Sequence, residues 1–107
     1  PYQNDVVNGL VKQYTKDGKL EYETNYVNDK REGLSKKYYP SGKLLSQVTF
    51  KNDKEEGLMK GYSEEGKLEI EIPYLHGSVV GLVKRYDENG KVVEQAMYKN
   101  DKEVKKK

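Results

Sequence analysis

Two sets of glycines recur along this chain at a spacing of 24 residues, and this period limits the fold more than any other feature of the sequence. Each glycine of the first set opens a segment of the form Gly-Leu-x-Lys-x-Tyr, and each glycine of the second set precedes Lys and then Leu or Val. A fixed period of this length indicates a tandem-repeat architecture, in which each copy is one supersecondary unit that packs against its neighbours. The recurring residues are Gly9, Gly33, Gly57 and Gly81, then Gly18, Gly42, Gly66 and Gly90, and the closing aromatics Tyr26, Phe50, Tyr74 and Tyr98.

The period predicts a single repeat domain over residues 1–107. Its full copies are residues 9–32, 33–56, 57–80 and 81–104, with a partial copy at 1–8 and a basic tail at 105–107. Tyr2 stands one period before Tyr26, so the sequence opens inside a copy. We therefore expect a fragment or a processed form, and any targeting peptide would lie upstream. The compartment stays open, because the chain is either cytoplasmic or exported with a signal outside this sequence.

Within each copy the apolar residues alternate with a period of two, which is typical of β-strands. Leu34 and Tyr38 share one parity in the first half of a copy, and Leu44, Val48 and Phe50 share one in the second half. The sequence therefore predicts an all-β fold, an elongated and twisted antiparallel meander of eight or nine strands made of β-hairpin repeats. A closed up-and-down barrel is the compact alternative.

The first turn of each copy ends in a glycine of the second set. Residues 16–18 have the signature of a three-residue hairpin loop, in which Gly18 adopts the left-handed conformation. This loop pairs Tyr14 with Leu20. The same register then pairs Lys12 with Tyr22 and Leu10 with Thr24.

The second turn contains Asn28 and Asp29. A two-residue loop there would turn Leu34 and Tyr38 to the other face of the sheet, because a slip of one residue inverts every side chain. We therefore expect either a three-residue loop at residues 28–30, which would pair Thr24 with Leu34, or a bulge at Gly33.

This register gathers the recurring aromatic, aliphatic and lysine side chains on one common face and leaves a polar face opposite. The lysines form a line with a spacing of two strand widths, roughly 9–10 Å. These lysines either bind an acidic partner or a row of phosphates, or have a structural role. In the structural role the aliphatic part of each side chain covers the neighbouring rings while its ammonium group reaches water. The rings likewise serve either as binding hot spots or as the core of a thin sheet. The candidate binding residues are Lys12, Lys36, Lys60, Lys84, Tyr14, Tyr38, Tyr62, Tyr86, Tyr26, Phe50, Tyr74 and Tyr98.

Composition narrows the function classes. The chain has 20 Lys and Arg against 18 Asp and Glu, and the two signs are interleaved, so no strong field recruits nucleic acid. The absence of cysteine excludes disulfides and thiolate metal sites. No apolar run approaches the roughly 18 residues of a membrane helix. We predict no cofactor and no nucleic-acid partner.

The third copy departs from the pattern of the others. Pro73 enters a predicted strand, where proline removes a ladder donor and signals an edge, kink or bulge. His76 is the only histidine, and a lone histidine without cysteine or a carboxylate cluster does not make a metal site. The segment is interpreted either as a local recognition site or hinge or as a drifted turn. The sequence also contains no nucleophile motif and no phosphate-binding loop, so we predict that the chain is not an enzyme.

The combination of Gly-Leu-x-Lys-x-Tyr, Gly-Lys-Leu, an aromatic and Asn-Asp-Lys resembles the MORN repeat, specifically the bacterial variant found in antitoxins. The resemblance covers essentially the whole chain. It departs at Asp29, Asp53 and Asp101, where the variant usually has glycine, and at residues 75–78. The resemblance implies an extended β-sheet that binds proteins or lipid head groups, with some members neutralising a toxin.

The leading hypothesis is therefore a non-enzymatic module that binds a protein partner, as an antitoxin or immunity protein. Two alternatives stay open, namely a structural or surface spacer of the adhesin type and a module that binds anionic lipid. An edge-to-edge homodimer is also expected. The lysines at 105–107 disfavour pairing with another chain at the C-terminal edge of the sheet, and the N-terminal edge has no such basic residues.

Overall fold

The computed structural model describes residues 7–104, and these residues form one antiparallel sheet with no helix. No helix among them is long and apolar enough to cross a membrane. The strands are β1 (Gly9–Tyr14), β2 (Leu20–Val27), β3 (Lys30–Tyr38), β4 (Leu44–Lys51), β5 (Lys54–Tyr62), β6 (Leu68–Leu75), β7 (Ser78–Val79), β8 (Gly81–Tyr86), β9 (Val92–Lys99) and β10 (Lys102–Val104). Tyr2 and the basic tail at 105–107 lie outside the described residues.

The strands follow one another through the sheet in chain order, which confirms the predicted antiparallel meander. Ten strands are present rather than eight or nine, because Val80 separates β7 from β8, which both pair with β6, and β10 is a further short strand at the end of the fourth copy. The sheet is open and elongated, with principal extents of 57 × 31 × 18 Å. The closed-barrel alternative is therefore wrong.

The predicted three-residue loop is confirmed between β1 and β2. The Thr15 N–H donates to the Lys19 carbonyl at 2.8 Å, and the Gly18 N–H donates to the Thr15 carbonyl at 2.9 Å. Gly18 has a φ of +81°, the left-handed conformation that glycine adopts without steric cost. The loop pairs Tyr14 with Leu20, as expected.

A β-bulge directly after this loop was not predicted. Tyr14 pairs with Leu20, but the next residue of β1, Gln13, pairs with Tyr22, so Glu21 has no partner across the ladder. The extra residue shifts all later pairs by one position. The expected pairs of Lys12 with Tyr22 and of Leu10 with Thr24 are therefore wrong. The structure instead pairs Lys12 with Glu23 and Leu10 with Asn25.

The same bulge recurs in every copy. The register shifts directly after each pair of a Tyr with a Leu or Val, so one residue of the second strand is left without a partner each time. The skipped residues in the later copies are Leu45, Glu69 and Val93.

The second turn is a two-residue loop. The three-residue loop at residues 28–30, one of the two alternatives expected there, is therefore wrong. Asn28 and Asp29 have φ values of 50° and 70°, and two successive positive values define the type I′ turn that joins tightly twisted strands. The other expectation, a bulge at Gly33, is confirmed. Three residues of β3, 32–34, lie opposite the single residue Asn25 of β2. Gly33 has a φ of +95° within this bulge.

The expected pair of Thr24 with Leu34 is also wrong. Thr24 pairs with Ser35, and their hydroxyl oxygens lie 3.0 Å apart. The two bulges together therefore decide which side chains share a face.

The sheet is a single layer with almost no interior. Phe50, at 6% exposure, is the one hydrophobic residue that is buried among those described. Ten large hydrophobic side chains stay exposed, as expected where a sheet has no second layer to cover it. Cross-strand pairs and turns therefore hold the fold together more than a core does.

Candidate binding surface

Residues paired across an antiparallel ladder project their side chains to the same side of the sheet, so the register assigns every strand residue to one of two faces. We call one of them the lysine face. It contains the recurring lysines, the tyrosines two positions later and the leucines two positions earlier. These residues are Lys12, Lys36, Lys60, Lys84, Tyr14, Tyr38, Tyr62, Tyr86, Leu10, Leu34, Leu58 and Leu82.

The predicted lysine line exists, but its neighbours differ from those expected. Each lysine lies between glutamate or glutamine side chains, and the aromatic and other residues expected there are on the opposite face. Across the strands the row reads Lys12, Glu23, Lys36, Gln47, Lys60, Glu71, Lys84 and Gln95. The Lys12 Nζ atom lies 3.8 Å from Glu23 Oε2. Lys84 pairs with Gln95, and Glu94 pairs with Arg85. The row is therefore a ladder of opposite charges and amides.

Two tyrosines of the lysine face donate to the glutamates of this row. The Tyr38 hydroxyl donates to Glu23 Oε1 at 2.5 Å, and the Tyr86 hydroxyl donates to Glu71 Oε1 at 2.5 Å. The hydrogen bond to Glu23, with partial burial and the carboxylate charge, raises the pKa of Tyr38 to about 12. The bond to Glu71 raises the pKa of Tyr86 in the same way. These contacts hold neighbouring strands together.

We call the opposite side the groove face. It carries the row of closing aromatics and, next to them, residues that the expected register had placed elsewhere. The predicted single face is therefore wrong, because the bulge after each first loop sends Tyr26, Phe50, Tyr74 and Tyr98 to the side opposite the lysines. Eight of the twelve candidate binding residues lie on the lysine face and four on the groove face. The predicted polar face is wrong for the same reason, since Lys37 and Arg85 belong to the groove face and Glu23 and Gln47 to the lysine face.

The C-terminal half of the groove face contains a mainly apolar cavity of about 460 Å³. Its walls come from β6, β8 and β9. The apolar and aromatic lining includes Ile70, Ile72, Tyr74, Val83, Ala96 and Tyr98. At the rim the Arg85 Nε atom lies 3.5 Å from Glu94 Oε1, and Glu103 also lines the cavity.

The N-terminal half of the same face contains a second cavity, of about 290 Å³, whose lining combines basic and hydroxyl side chains with aromatic and aliphatic ones. The Arg31 guanidinium lies over the Phe50 ring at 4.3 Å, and the Lys37 ammonium lies over the Tyr22 ring at 5.2 Å. Arg31 Nε also contacts Asp53 Oδ1 at 2.8 Å, which lowers the pKa of that carboxyl group.

Four tandem segments match the MORN repeat variant, at residues 7–28, 31–52, 55–76 and 79–100. The chain belongs to the MORN repeat variant family. Repeats of this family are generally associated with binding to proteins or membranes. Neither a curated protein nor a solved structure matches the chain.

The MORN copies differ from one another more on the groove face than on the lysine face, where the positions of Glu23 and Asn25 vary. On the lysine face, the leucine, lysine and tyrosine positions carry the same residue in all four copies. On the groove face, the position of Gln13 is taken in turn by Lys37, Gly61 and Arg85. Two further groove-face positions vary in the same way. One carries Tyr22, Ser46, Ile70 and Glu94 in successive copies. The other carries Arg31, Glu55, Val79 and Glu103. The shared residues serve the fold of every MORN copy, and the variable residues give each part of the groove face its own chemistry.

Sequence reasoning missed most of the groove-face residues. Arg31, Lys37, Ile70 and Ile72 were not among the candidates, because the expected register ignored the bulge after the first loop. Their variation from copy to copy is the signal that would have found them. That comparison requires only the period, which the sequence shows directly.

The third MORN copy keeps the turn geometry of the others despite its different residues. His76 and Gly77 have φ values of 51° and 86°, close to those of Asn28 and Asp29. His76 is exposed and its Nδ1 atom lies 3.2 Å from Glu56 Oε1. Among residues 7–104 no group of three His, Cys, Asp or Glu side chains is arranged to hold a metal ion.

Pro73 lies opposite the bulge of this copy. Its carbonyl accepts from the Val80 N–H at 3.0 Å, and an added Cβ at Gly81 would lie 3.0 Å from Pro73 Cγ. The expected bulge is present, but the other copies have one too, so the proline adapts to the bulge and does not create it.

Proposed function

We propose that this MORN array is a protein-binding module and that its groove face carries the binding site. The proposal rests on one observation above all: most groove-face positions change from copy to copy, whereas the lysine face repeats the same leucine, lysine and tyrosine in every copy. A surface made only of repeated residues offers every copy the same contacts. A surface that varies offers one partner a specific set.

The groove face also has the physical form of a binding surface. It combines open cavities of about 460 and 290 Å³ with aromatic side chains, the residue type most enriched at the energetic centres of protein interfaces. On the lysine face, the glutamates between the lysines offset part of their charge, and this supports a structural role for the ladder. We propose no catalytic role for any residue.

Photo-cross-linking from matched positions on the two faces tests this proposal. A photoreactive side chain is introduced at Ile72 on the groove face or at Leu58 on the lysine face, and the variants are expressed in the native host. The two positions are comparable, because both are aliphatic and lie on the paired strands β5 and β6. We expect a specific protein to cross-link from Ile72 and not from Leu58, and the purified partner to bind the unmodified chain. Cross-links from Leu58 alone, or from neither position, would overturn the proposal.

The finer form of the proposal is an antitoxin or immunity protein whose partner is a toxin. It is supported by the resemblance of the repeat pattern to the bacterial variant. Co-expression tests it: a toxin encoded next to this chain should lose its effect on growth in the presence of the chain, and a groove-face variant should restore that effect. If groove-face changes do not affect neutralisation of the toxin, the groove face is not the site that gives the immunity role.

Binding to anionic lipid is the main competing outcome. It would use the lysine face, so the double change Lys36→Glu and Lys60→Glu should abolish binding to anionic vesicles if lipid is the ligand. Our proposal predicts that this double variant still binds the protein partner.

A further inference from the structure

The two halves of the groove face differ in charge. The N-terminal cavity is lined by two basic residues of the groove face, Arg31 and Lys37, and by no acidic residue. The side chains that line the C-terminal cavity include one basic residue, Arg85, and two acidic ones, Glu94 and Glu103. A single ligand that lies across both halves therefore meets positive charge at one end and an apolar, slightly acidic surface at the other.

The cations of the N-terminal half are held in place by the rings beneath them. Lys37 lies over Tyr22, and within the part of the chain that the structure describes its ammonium group forms no ion pair. Arg31 lies over Phe50 and is fixed by Asp53. Such stacking orients a cation and reduces the side-chain entropy that is lost when it meets an anion.

Hydroxyl groups complete this half of the groove face. Thr24 and Ser35 pair across β2 and β3, and Ser46 lies next to Lys37 on β4. Hydroxyls and lysine ammonium groups are the donors that a carboxylate accepts hydrogen bonds from. The N-terminal half is thus suited to an acidic side chain.

The C-terminal half is suited to a bulky apolar side chain. Ile70, Ile72, Val83 and Ala96 form an aliphatic floor between Tyr74 and Tyr98. This aliphatic surface has no second layer of the sheet to cover it. Burying an aliphatic or aromatic side chain there would remove apolar area from water on both partners.

The spacing between the two halves follows from the strand order. Lys37 on β3 and Ile72 on β6 are three strand steps apart, which corresponds to about 14 Å. An extended peptide rises by about 3.3 Å per residue, so this distance equals about four residues of an extended partner segment.

We propose that the groove face binds an extended segment of a protein partner that places an acidic side chain over Lys37 and Arg31 and, about four residues away, a bulky aliphatic or aromatic side chain over Ile70 and Ile72. This inference rests on the proposed function and adds the chemistry of the partner. Charge complementarity sets the direction in which the segment crosses the strands, and the apolar cavity sets the spacing.

Synthetic peptides test the inference without a natural partner. The probe is a labelled peptide with two glutamates and a leucine separated by about four residues, and binding is measured by fluorescence anisotropy. One control peptide has glutamine in place of both glutamates, and another has the leucine directly beside the glutamates. We expect the glutamine peptide to bind about three- to fivefold more weakly, the size of an exposed charge pair. The peptide with the displaced leucine should also bind more weakly, because it loses the apolar contact. Because these changes leave the protein untouched, a folding defect cannot cause the difference.

Protein variants locate the charge pair. Lys37→Gln should weaken binding of the glutamate peptide by the same factor and leave binding of the glutamine peptide unchanged. The effects of the protein change and the peptide change are then not additive. Lys60→Gln is the matched control on the lysine face and should have no effect. Equal effects of the two lysine variants, or equal affinity for the glutamate and glutamine peptides, would overturn the inference.

The two proposals fail separately. If no peptide binds while cross-links from Ile72 still identify a partner, the proposed function stands and this inference is wrong. If cross-links from the groove face are also absent, the proposed function is wrong as well.

Discussion

Tyr38 shows how a single residue links two strands in a sheet that has almost no core. Its hydroxyl donates to Glu23 at 2.5 Å across β2 and β3. A hydrogen bond to a charged group contributes about 1.5–3 kcal/mol, more than most cross-strand pairs. The bond is lost when the hydroxyl gives up its proton.

This contact predicts a loss of stability at alkaline pH. The pKa of Tyr38 is about 12 in the folded chain, above the ordinary value of 10.0, so folding favours the protonated form. The stabilisation is fully present below pH 10.0 and is lost as the pH rises through about 12. Urea unfolding between these pH values should show a decrease for the natural chain that is smaller in Tyr38→Phe. Parallel pH curves for the two proteins would contradict this assignment.

Phe50 is the second residue on which the sheet depends. It is 6% exposed, and Arg31 covers its ring. We predict that Phe50→Ala lowers the free energy of unfolding by about 3 kcal/mol, the lower end for a buried ring. Leu34→Ala is the control. Because Leu34 is 44% exposed, this change should lower the free energy of unfolding by less than about 1 kcal/mol. Chemical denaturation measures both, and equal costs would show that Phe50 has no special role.

At the scale of elements, each Asn-Asp turn bonds to the first residues of the strand that follows the equivalent turn of the preceding copy. The Asp53 N–H donates to the Arg31 carbonyl at 3.0 Å, and the Arg31 N–H donates to Asp53 Oδ1 at 3.1 Å. Asp101 makes the same two bonds with Val79, at 3.0 and 2.7 Å. In the third copy the Gly77 N–H bonds the Glu55 carbonyl at 2.9 Å, but glycine has no carboxylate for the reciprocal bond. The aspartates at these positions therefore add a second bond to each turn.

We predict that Asp53→Asn lowers the thermal midpoint at neutral pH. Asparagine tolerates the same left-handed backbone, so the change removes mainly the charge that pairs with Arg31. Because Arg31 lowers the pKa of Asp53, the ion pair between them stabilises the fold at pH values above the ordinary carboxyl range. This stabilisation disappears as the pH falls through the lowered pKa. The midpoints of the two proteins should therefore converge in acid. A constant difference at all pH values would show that the charge is not responsible.

The turns also show which parts of the fold the sequence can predict. The loop at Gly18 was predictable, because a three-residue loop requires a left-handed glycine and every copy has one. The bulge after it was not predictable from residue type, since Glu21, Leu45, Glu69 and Val93 share no chemistry. The Asn28–Asp29 turn was misassigned because the parity argument assumed that all apolar residues lie on one face. Apolar residues on both faces are consistent with a sheet that has only one layer.

At the scale of the molecule, stability is distributed along the array. Within residues 7–104 each strand pairs only with its neighbours, and no second layer connects distant copies. In such architectures stability is approximately a sum of unit terms and neighbour terms. The site is distributed in the same way, because its two halves lie in different copies.

We predict that deletion of residues 33–56, one complete period, leaves a folded array. The copies on either side keep the same register, so the new junction resembles the natural one. The urea m-value should fall by roughly one quarter, because it scales with the surface exposed on unfolding. Circular dichroism would check the fold, and complete unfolding of the shortened chain would show that the units are not equivalent.

The candidate site was only partly predictable from the sequence. The lysines and aromatic rings could be recognised as recurring rows of the sheet, because their period is visible in the sequence. Their division between two faces depends on one unpaired residue per copy. Arg31 and Lys37 were therefore missed, although Arg31 lies over Phe50, which was among the candidates.

The central claim is that the bulge at Glu21 and its equivalents separates the lysine face from the groove face. Nuclear Overhauser effects between side chains of β1, β2 and β3 measure this most directly. We expect contacts of Lys12 and Lys36 with Glu23, and of Lys37 with Tyr22. Contacts of Lys12 and Lys36 with Tyr22 would contradict it, because they would return the lysines and the rings to one face.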